Sequence, residues 1–93
     1  MLFFVKVRID VRKLAEFGRK IQSGALNTHP TSTYCLKDDP SVGLNIWEAE
    51  DLDDFERKFA SHREYYAKVY EVTPVITATE AQQLLMKQLT AGA

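Results

Sequence analysis

This sequence contains few of the residues that mark disulfide-rich, collagenous or low-complexity proteins. Its 93 residues include one cysteine, three prolines and four glycines. A lone thiol, Cys35, cannot form an internal disulfide and is typical of a reducing compartment, so we expect a cytoplasmic protein. The glycines do not cluster, which excludes a glycine-rich phosphate loop. With 45% hydrophobic and 27% charged residues, the composition is that of one globular domain, which we expect to span residues 1–93.

Neither sign of charge is in excess. Twelve lysines and arginines are balanced by thirteen acidic residues, which gives a net charge of −1. That balance supplies no positive field for nucleic acid or an anionic membrane, so neither is expected as a partner. The apolar start MLFFV is interrupted by Lys6 and Arg8, too early for a signal peptide or a membrane span.

Residues that bind metals are also sparse. One cysteine and two separated histidines, His29 and His62, do not form a ligand set at the usual spacing. The acidic run between Glu48 and Glu56 lacks the alternation and the glycine of a calcium loop. The sequence therefore predicts neither a metal nor an organic cofactor.

Hydrophobic periodicity and turn residues predict four strands and three helices. The first half of the chain holds a strand over 2–9, a helix capped by Asp10 that ends at Ser23 and Gly24, and a hairpin with arms 31–37 and 42–49. The second half holds a helix that begins at Asp51, a strand over 68–75 and a short helix that starts with a capping box at Thr77 and Glu80. The order β-α-β-β-α-β plus one helix predicts a ferredoxin-like α+β fold, in which two helices cover one face of a four-stranded antiparallel sheet.

The other face of that sheet has no cover within the chain. Alternation along residues 42–49 assigns Val42, Leu44 and Ile46 to the core under the helices, and Asn45 and Trp47 to the bare face. The predicted bare face comprises Phe4, Lys6, Arg8, Ser32, Tyr34, Asn45, Trp47 and Glu71. Because large aromatic side chains are uncommon in contiguous exposed patches, we expect a second copy of the chain to cover this face.

Two segments carry a resemblance to a known group of proteins. The stretch YEVTPVITATEAQQLL, residues 70–85, is similar to the closing strand, proline and capped helix of a small uncharacterised family in the dimeric α+β-barrel superfamily. The opening MLFFVKV resembles the start of muconolactone isomerase, another member of that superfamily. The resemblance implies a homodimer whose sheets face each other around a shared cavity. It implies no particular chemistry, because members of the superfamily differ in reaction.

Charged residues of the bare face have two interpretations. Lys6 and Arg8 can bind an anionic ligand in a partly dry cavity, or they can pair with Glu71 across the sheet or the dimer contact, which is the favoured interpretation. Glu71 as a general base would need burial to raise its pKa, whereas the neighbouring cations act in the opposite direction.

Uncharged residues of the same face also leave two interpretations open. Tyr34, Asn45 and Trp47 are typical of a mostly apolar ligand pocket with a few directing polar groups, and also of an aromatic-rich dimer interface, which is the favoured interpretation. The candidate ligand-binding residues are therefore Lys6, Arg8, Tyr34, Asn45, Trp47 and Glu71, with no catalytic residue assigned. We expect a homodimer, or a higher oligomer, that binds a small organic ligand, an anion included; the alternative is a small isomerase-like or monooxygenase-like enzyme that uses no metal.

Overall fold

The computed structural model describes residues 1–92, with side chains to residue 90. Its elements are β1 (Leu2–Ile9), a 3-10 turn (Val11–Lys13), α1 (Leu14–Ser23), β2 (Ser32–Cys35), β3 (Val42–Glu48), α2 (Leu52–Arg63), β4 (Tyr66–Val75) and α3 (Ala78–Gly92). All three strand pairings are antiparallel, and the strand order across the sheet is β2-β3-β1-β4. This is the predicted ferredoxin-like α+β arrangement with one additional C-terminal helix, so the predicted fold class is confirmed.

Local capping explains where the helices begin and end. Asp10 accepts a hydrogen bond from the Arg12 backbone N–H and starts the 3-10 turn that leads into α1. Asp51 accepts from the Asp54 N–H at 2.8 Å and caps α2. Gly24 ends α1 with a φ of 75°, a left-handed conformation that glycine adopts without a side-chain clash. These caps fix the two helices that cover the sheet.

Aromatic side chains fill the space between the helices and the sheet. Phe3 of β1 lies 4.9 Å from Phe55 of α2, and Trp47 of β3 lies 5.6 Å from Phe59, measured between ring centroids. All four are at most 1% exposed. Edge-to-face and tilted contacts of this kind add to the stabilisation that comes from burying large rings. We call the face that they occupy the covered face.

The predicted orientation of β3 is wrong. Phe3 and Val5 of β1 lie directly opposite Trp47 and Asn45, so all four point to the covered face. Trp47 is 1% exposed and Asn45 is 2% exposed. The remaining members of β3, led by Leu44, therefore point to the opposite face, which we call the open face. Both alternating sets of β3 contain apolar residues, and only the register with β1 decides between them.

A bulge in β4 changes the predicted alternation there as well. Lys6 of β1 lies opposite Glu71, but Val7 lies opposite Val69, so Tyr70 is an extra residue in β4. Tyr70 and Glu71 consequently share the open face, although the sequence alternation separates them. The bulge thus adds Tyr70 to an open face that already carries Phe4 and Tyr34.

The last helix, α3, lies outside the layered body. Of its side chains described to residue 90, only Ala81 is not exposed. The radius of gyration is 16.2 Å, against about 12 Å expected for a compact chain of this length. The apolar side chains of α3 are therefore largely exposed: Leu84, Leu85, Met86 and Leu89.

Candidate functional site

The open face combines aliphatic and aromatic side chains. Phe4 of β1 and its neighbours Leu44 and Ile46 of β3 form its half-buried centre. Tyr34 on the edge strand β2 is 70% exposed, and it lies opposite Leu44. An apolar centre bordered by tyrosines has the composition of an interface core.

Cations surround Tyr70 on this face. Lys6 and Lys68 place their Nζ atoms 5.8 Å and 5.0 Å from the ring centroid, and the Arg8 guanidinium carbon lies 5.8 Å from it. A ring face attracts cations, and the attraction strengthens when water is excluded. Neither lysine forms an ion pair within the described part of the chain, so both ammonium groups are available to an anion.

Arg8, in contrast, is hydrogen-bonded within the chain. Its Nε donates to the Tyr70 hydroxyl at 2.7 Å, and its Nη1 donates to Ser41 Oγ at 2.7 Å and to Asp39 Oδ2 at 3.1 Å. The hydrogen bond to Tyr70, and then that to Asp39, raises the pKa of Arg8 above its usual value. Hydrogen bonds from Ser41 and then Arg8 lower the pKa of Asp39. Arg8 therefore ties β1, the hairpin turn and β4 together.

Glu71 lies in the same region without burial. Its carboxylate accepts a hydrogen bond from Thr73 Oγ1 at 2.7 Å, and its backbone lies opposite Lys6. The residue is exposed in the single chain. A carboxylate acting as general base at neutral pH requires a desolvated environment, which one copy of the chain does not supply.

The structure separates the six predicted ligand-binding residues into two groups. Four lie on the open face: Lys6, Arg8, Tyr34 and Glu71. The other two, Asn45 and Trp47, lie on the covered face, on the opposite side of the sheet. The six residues therefore do not line one common cavity, and their assignment to ligand binding stays a prediction.

Asn45 instead belongs to a pocket between α1, the loop 25–31 and the covered face. This helix-side pocket has a volume of about 310 Å³ and is lined by Phe17, Ile21, Leu26, Thr28, His29, Pro30, Thr33, Asn45, His62 and Tyr66. A narrower extension of about 90 Å³ continues past Asn45 toward Gly43 and Cys35. The combination of apolar walls and a few convergent polar groups is characteristic of small-molecule sites.

His62 and Thr28 hold one wall of the helix-side pocket in place. The carbonyl of Thr28 lies 2.6 Å from His62 Nε2, and Thr28 Oγ1 donates to the Lys58 carbonyl at 2.6 Å. Because a carbonyl only accepts, Nε2 carries the proton and Nδ1 has none in the neutral ring. Burial lowers the pKa of His62, which favours that neutral form.

The sequence alone gives little indication of these pocket residues. A histidine near the end of α2 is equally consistent with a surface position, and Thr28 lies in a segment without periodicity. The one usable signal is Asn45, a residue disfavoured in the middle of a strand. That signal identifies the residue but not the side of the sheet.

Other classes of site have less support. Among the residues that the structure describes, no three His, Cys, Asp or Glu side chains are placed to hold a metal ion. No helix in the same part of the chain is long and apolar enough to cross a membrane. No family model, curated protein or solved structure matches the chain. The resemblance to muconolactone isomerase thus stays a prediction, and the fold is the established part of it.

Proposed function

We propose that this protein is a homodimer that joins its open faces and encloses a chamber for a small anionic organic molecule. The observation that carries the proposal is the uncovered apolar centre of the open face, with Phe4, Leu44 and Ile46 bordered by Tyr34 and Tyr70. Within residues 1–92, no element covers it. A second copy is the economical cover, because the same patch on two copies is self-complementary about a twofold axis.

The dimensions of the open face suit a dimer that also uses α3. The four strands contain 29 residues in all, and at about 3.3 Å per residue and about 4.8 Å between strands they present roughly 460 Å² per copy. Stable interfaces bury about 800 Å² per partner. The sheet face alone is therefore too small, and a further apolar surface must join the interface.

The exposed apolar side chains of α3 supply that surface. Leu85 and Leu89 follow Ala81 at intervals of four residues, so they form one stripe along the helix. Leu89 is 70% exposed. An isolated helix of 15 residues is marginally stable in water, so α3 gains stability when this stripe packs on another surface. In the proposed dimer that surface belongs to the second copy.

The chamber would be positively charged. Lys6 and Lys68 lie beside Tyr70 without an ion pair in the described part of the chain, and each dimer would contain two such sets. Removing water from ammonium groups strengthens their attraction for a carboxylate or phosphate. We therefore propose an organic anion, with Tyr34 and Tyr70 as its aromatic walls. On the open face the one described carboxylate, Glu71, is exposed, so we propose binding ahead of the enzymatic alternative.

The proposed dimer is tested by placing a charge at the centre of the open face. In Leu44→Lys, two copies would bring like charges together in a desolvated interface, which costs several kcal/mol. We expect a monomer by light scattering at micromolar concentration. The matched control is Leu14→Lys, an exposed leucine at the start of α1, which should remain a dimer. A Leu44→Lys protein that associates like the wild type would contradict the proposal.

A further inference from the structure

The side-chain amide of Asn45 has one polar neighbour, Tyr66, where it lines the helix-side pocket. Asn45 is 2% exposed and lies on the floor of the helix-side pocket. Its polar neighbour is the hydroxyl of Tyr66, whose pKa is raised by burial, while the Asn45 amide acts in the opposite direction. An amide offers two donors and an acceptor with two lone pairs. One contact with Tyr66 therefore leaves most of this capacity unused.

The side-chain amide of Asn45 lines the pocket and takes no part in the backbone hydrogen bonds of the sheet. A methyl group added at Gly43 would come 3.9 Å from Asn45 Oδ1 and 3.3 Å from Val7 Cγ2. The glycine two residues earlier on the same face thus avoids crowding Val7, and it lines the small cavity that also reaches Asn45. A polar group removed from bulk water destabilises the fold unless it is hydrogen-bonded. Ligand binding by this amide explains why position 45 holds an asparagine and not an apolar residue.

The charge of the helix-side pocket restricts which ligand fits. Its lining contains no lysine, arginine, aspartate or glutamate. Burial lowers the pKa of His62 and raises the pKa of Tyr66, so both side chains are neutral at pH 7. A charged ligand would lose its hydration without gaining a counter-ion. The apolar walls formed by Phe17, Ile21 and Leu26 favour a hydrophobic body.

We propose that the helix-side pocket is a second binding site, for an uncharged molecule with an apolar body and one carboxamide-like group that pairs with the Asn45 side chain. Two antiparallel amides exchange two hydrogen bonds, which uses one donor and the acceptor of Asn45 together. The volume of about 310 Å³ is at the lower limit of ligand pockets, so the ligand has the size of a single substituted ring. This site is independent of the dimer chamber because one chain forms it completely.

The test is a titration of the full-length protein with benzamide, followed by NMR of the Asn45 side-chain NH₂ pair. Benzoate, which has the same shape and a negative charge, and toluene, which lacks the polar group, serve as probes of the same size. We expect benzamide to shift the Asn45 NH₂ signals and to saturate. Benzoate should bind at least about tenfold more weakly, since it is charged and cannot donate.

Asn45→Leu is the diagnostic variant, because leucine has nearly the shape of asparagine and no polar group. We expect its benzamide affinity to fall by about tenfold or more while toluene still binds. Asn27→Leu changes the only other asparagine of the chain, which is exposed, and should bind benzamide like the wild type. Thermal unfolding of each variant verifies that it folds.

Several results would overturn this second site. They are an unchanged Asn45 NH₂ signal at saturating benzamide, equal binding of benzoate and benzamide, or undiminished benzamide binding in Asn45→Leu. Failure of the dimer gives a different result, a monomeric mass with normal benzamide binding. The two proposals are thus contradicted by separate measurements.

Discussion

The two faces of the sheet are built from the same four strands but differ in what covers them. On the covered face, Phe3 and Trp47 contact Phe55 and Phe59 of α2, and water is excluded within one chain. On the open face, the chain leaves Phe4 and its aliphatic neighbours half-buried beside three cations. One face therefore stabilises the fold within the chain, and the other is the face that we propose a second copy covers.

This difference also separates two kinds of charge environment. The cations of the open face lie around Tyr70, whereas the lining of the helix-side pocket contains no lysine, arginine, aspartate or glutamate. The two sides of the sheet therefore differ in charge, and we propose an anion for one side and an uncharged ligand for the other. In these two proposals, anionic and uncharged ligands bind on different faces of the sheet.

The largest effect is expected from a truncation on the covered face. Phe55→Ala removes a ring that is 0% exposed, and such changes cost about 3–5 kcal/mol of unfolding free energy. Urea unfolding should show this loss at every protein concentration. Phe4→Ala, on the open face, should show a loss that grows with concentration, because association stabilises only the folded dimer. Equal, concentration-independent losses would remove the distinction between the faces.

An intermediate effect is expected from α3. Leu89→Lys places a charge in the apolar stripe that we assign to the dimer contact, and the dimer dissociation constant should rise at least about tenfold. Sedimentation equilibrium measures that constant. Gln88→Lys makes the same substitution at the adjacent, exposed residue and should leave the constant within about twofold of wild type. A Leu89→Lys dimer as tight as the wild type would show that α3 lies outside the interface.

The smallest effect is expected from the titration of His62. Its pKa is lowered in the folded chain, mainly by burial, so the unfolded chain binds a proton more readily. The unfolding free energy should therefore begin to fall when the pH drops below about 6.5, the usual histidine pKa. The fall should end once the pH is below the lowered pKa of His62 in the folded chain. His62→Gln should flatten this part of the profile. The measurement is the urea midpoint between pH 7.5 and 5.

Carboxyl groups are a second source of pH dependence, but they act at lower pH than His62. The carboxyl groups of Asp39 and Asp54 have lowered pKa values, so their contribution is lost only as the pH falls through about 4 and below. A slope between pH 7.5 and 5 that persists in His62→Gln would contradict the role assigned to that histidine.

The sequence was sufficient for the fold because its local signals agree with one another. Alternation in β1, the acidic cap at Asp51 and the capping box at Thr77 each specify an element without knowledge of the rest. Thr77 Oγ1 accepts the Glu80 N–H at 3.1 Å, as the capping box predicts. These signals depend only on residues close in the chain, which is why they predict the elements from sequence alone.

The candidate site was less predictable because it depends on register between distant strands. Nothing local to β3 distinguishes the set containing Asn45 from the set containing Leu44, and only pairing with β1, some forty residues earlier, decides it. The extra residue Tyr70 in β4 shows the same limit, since a bulge interrupts alternation without a sequence signature there. The pocket wall held by His62 requires three-dimensional contact between a loop and a helix.

The mass of the wild-type protein in solution decides whether a second copy covers the open face. One chain is 10.6 kDa. Light scattering coupled to gel filtration should give about twice that mass at micromolar concentration, the range in which a stable interface of this size is formed. A mass of one chain at that concentration, with the protein folded and free of aggregates, would contradict the account.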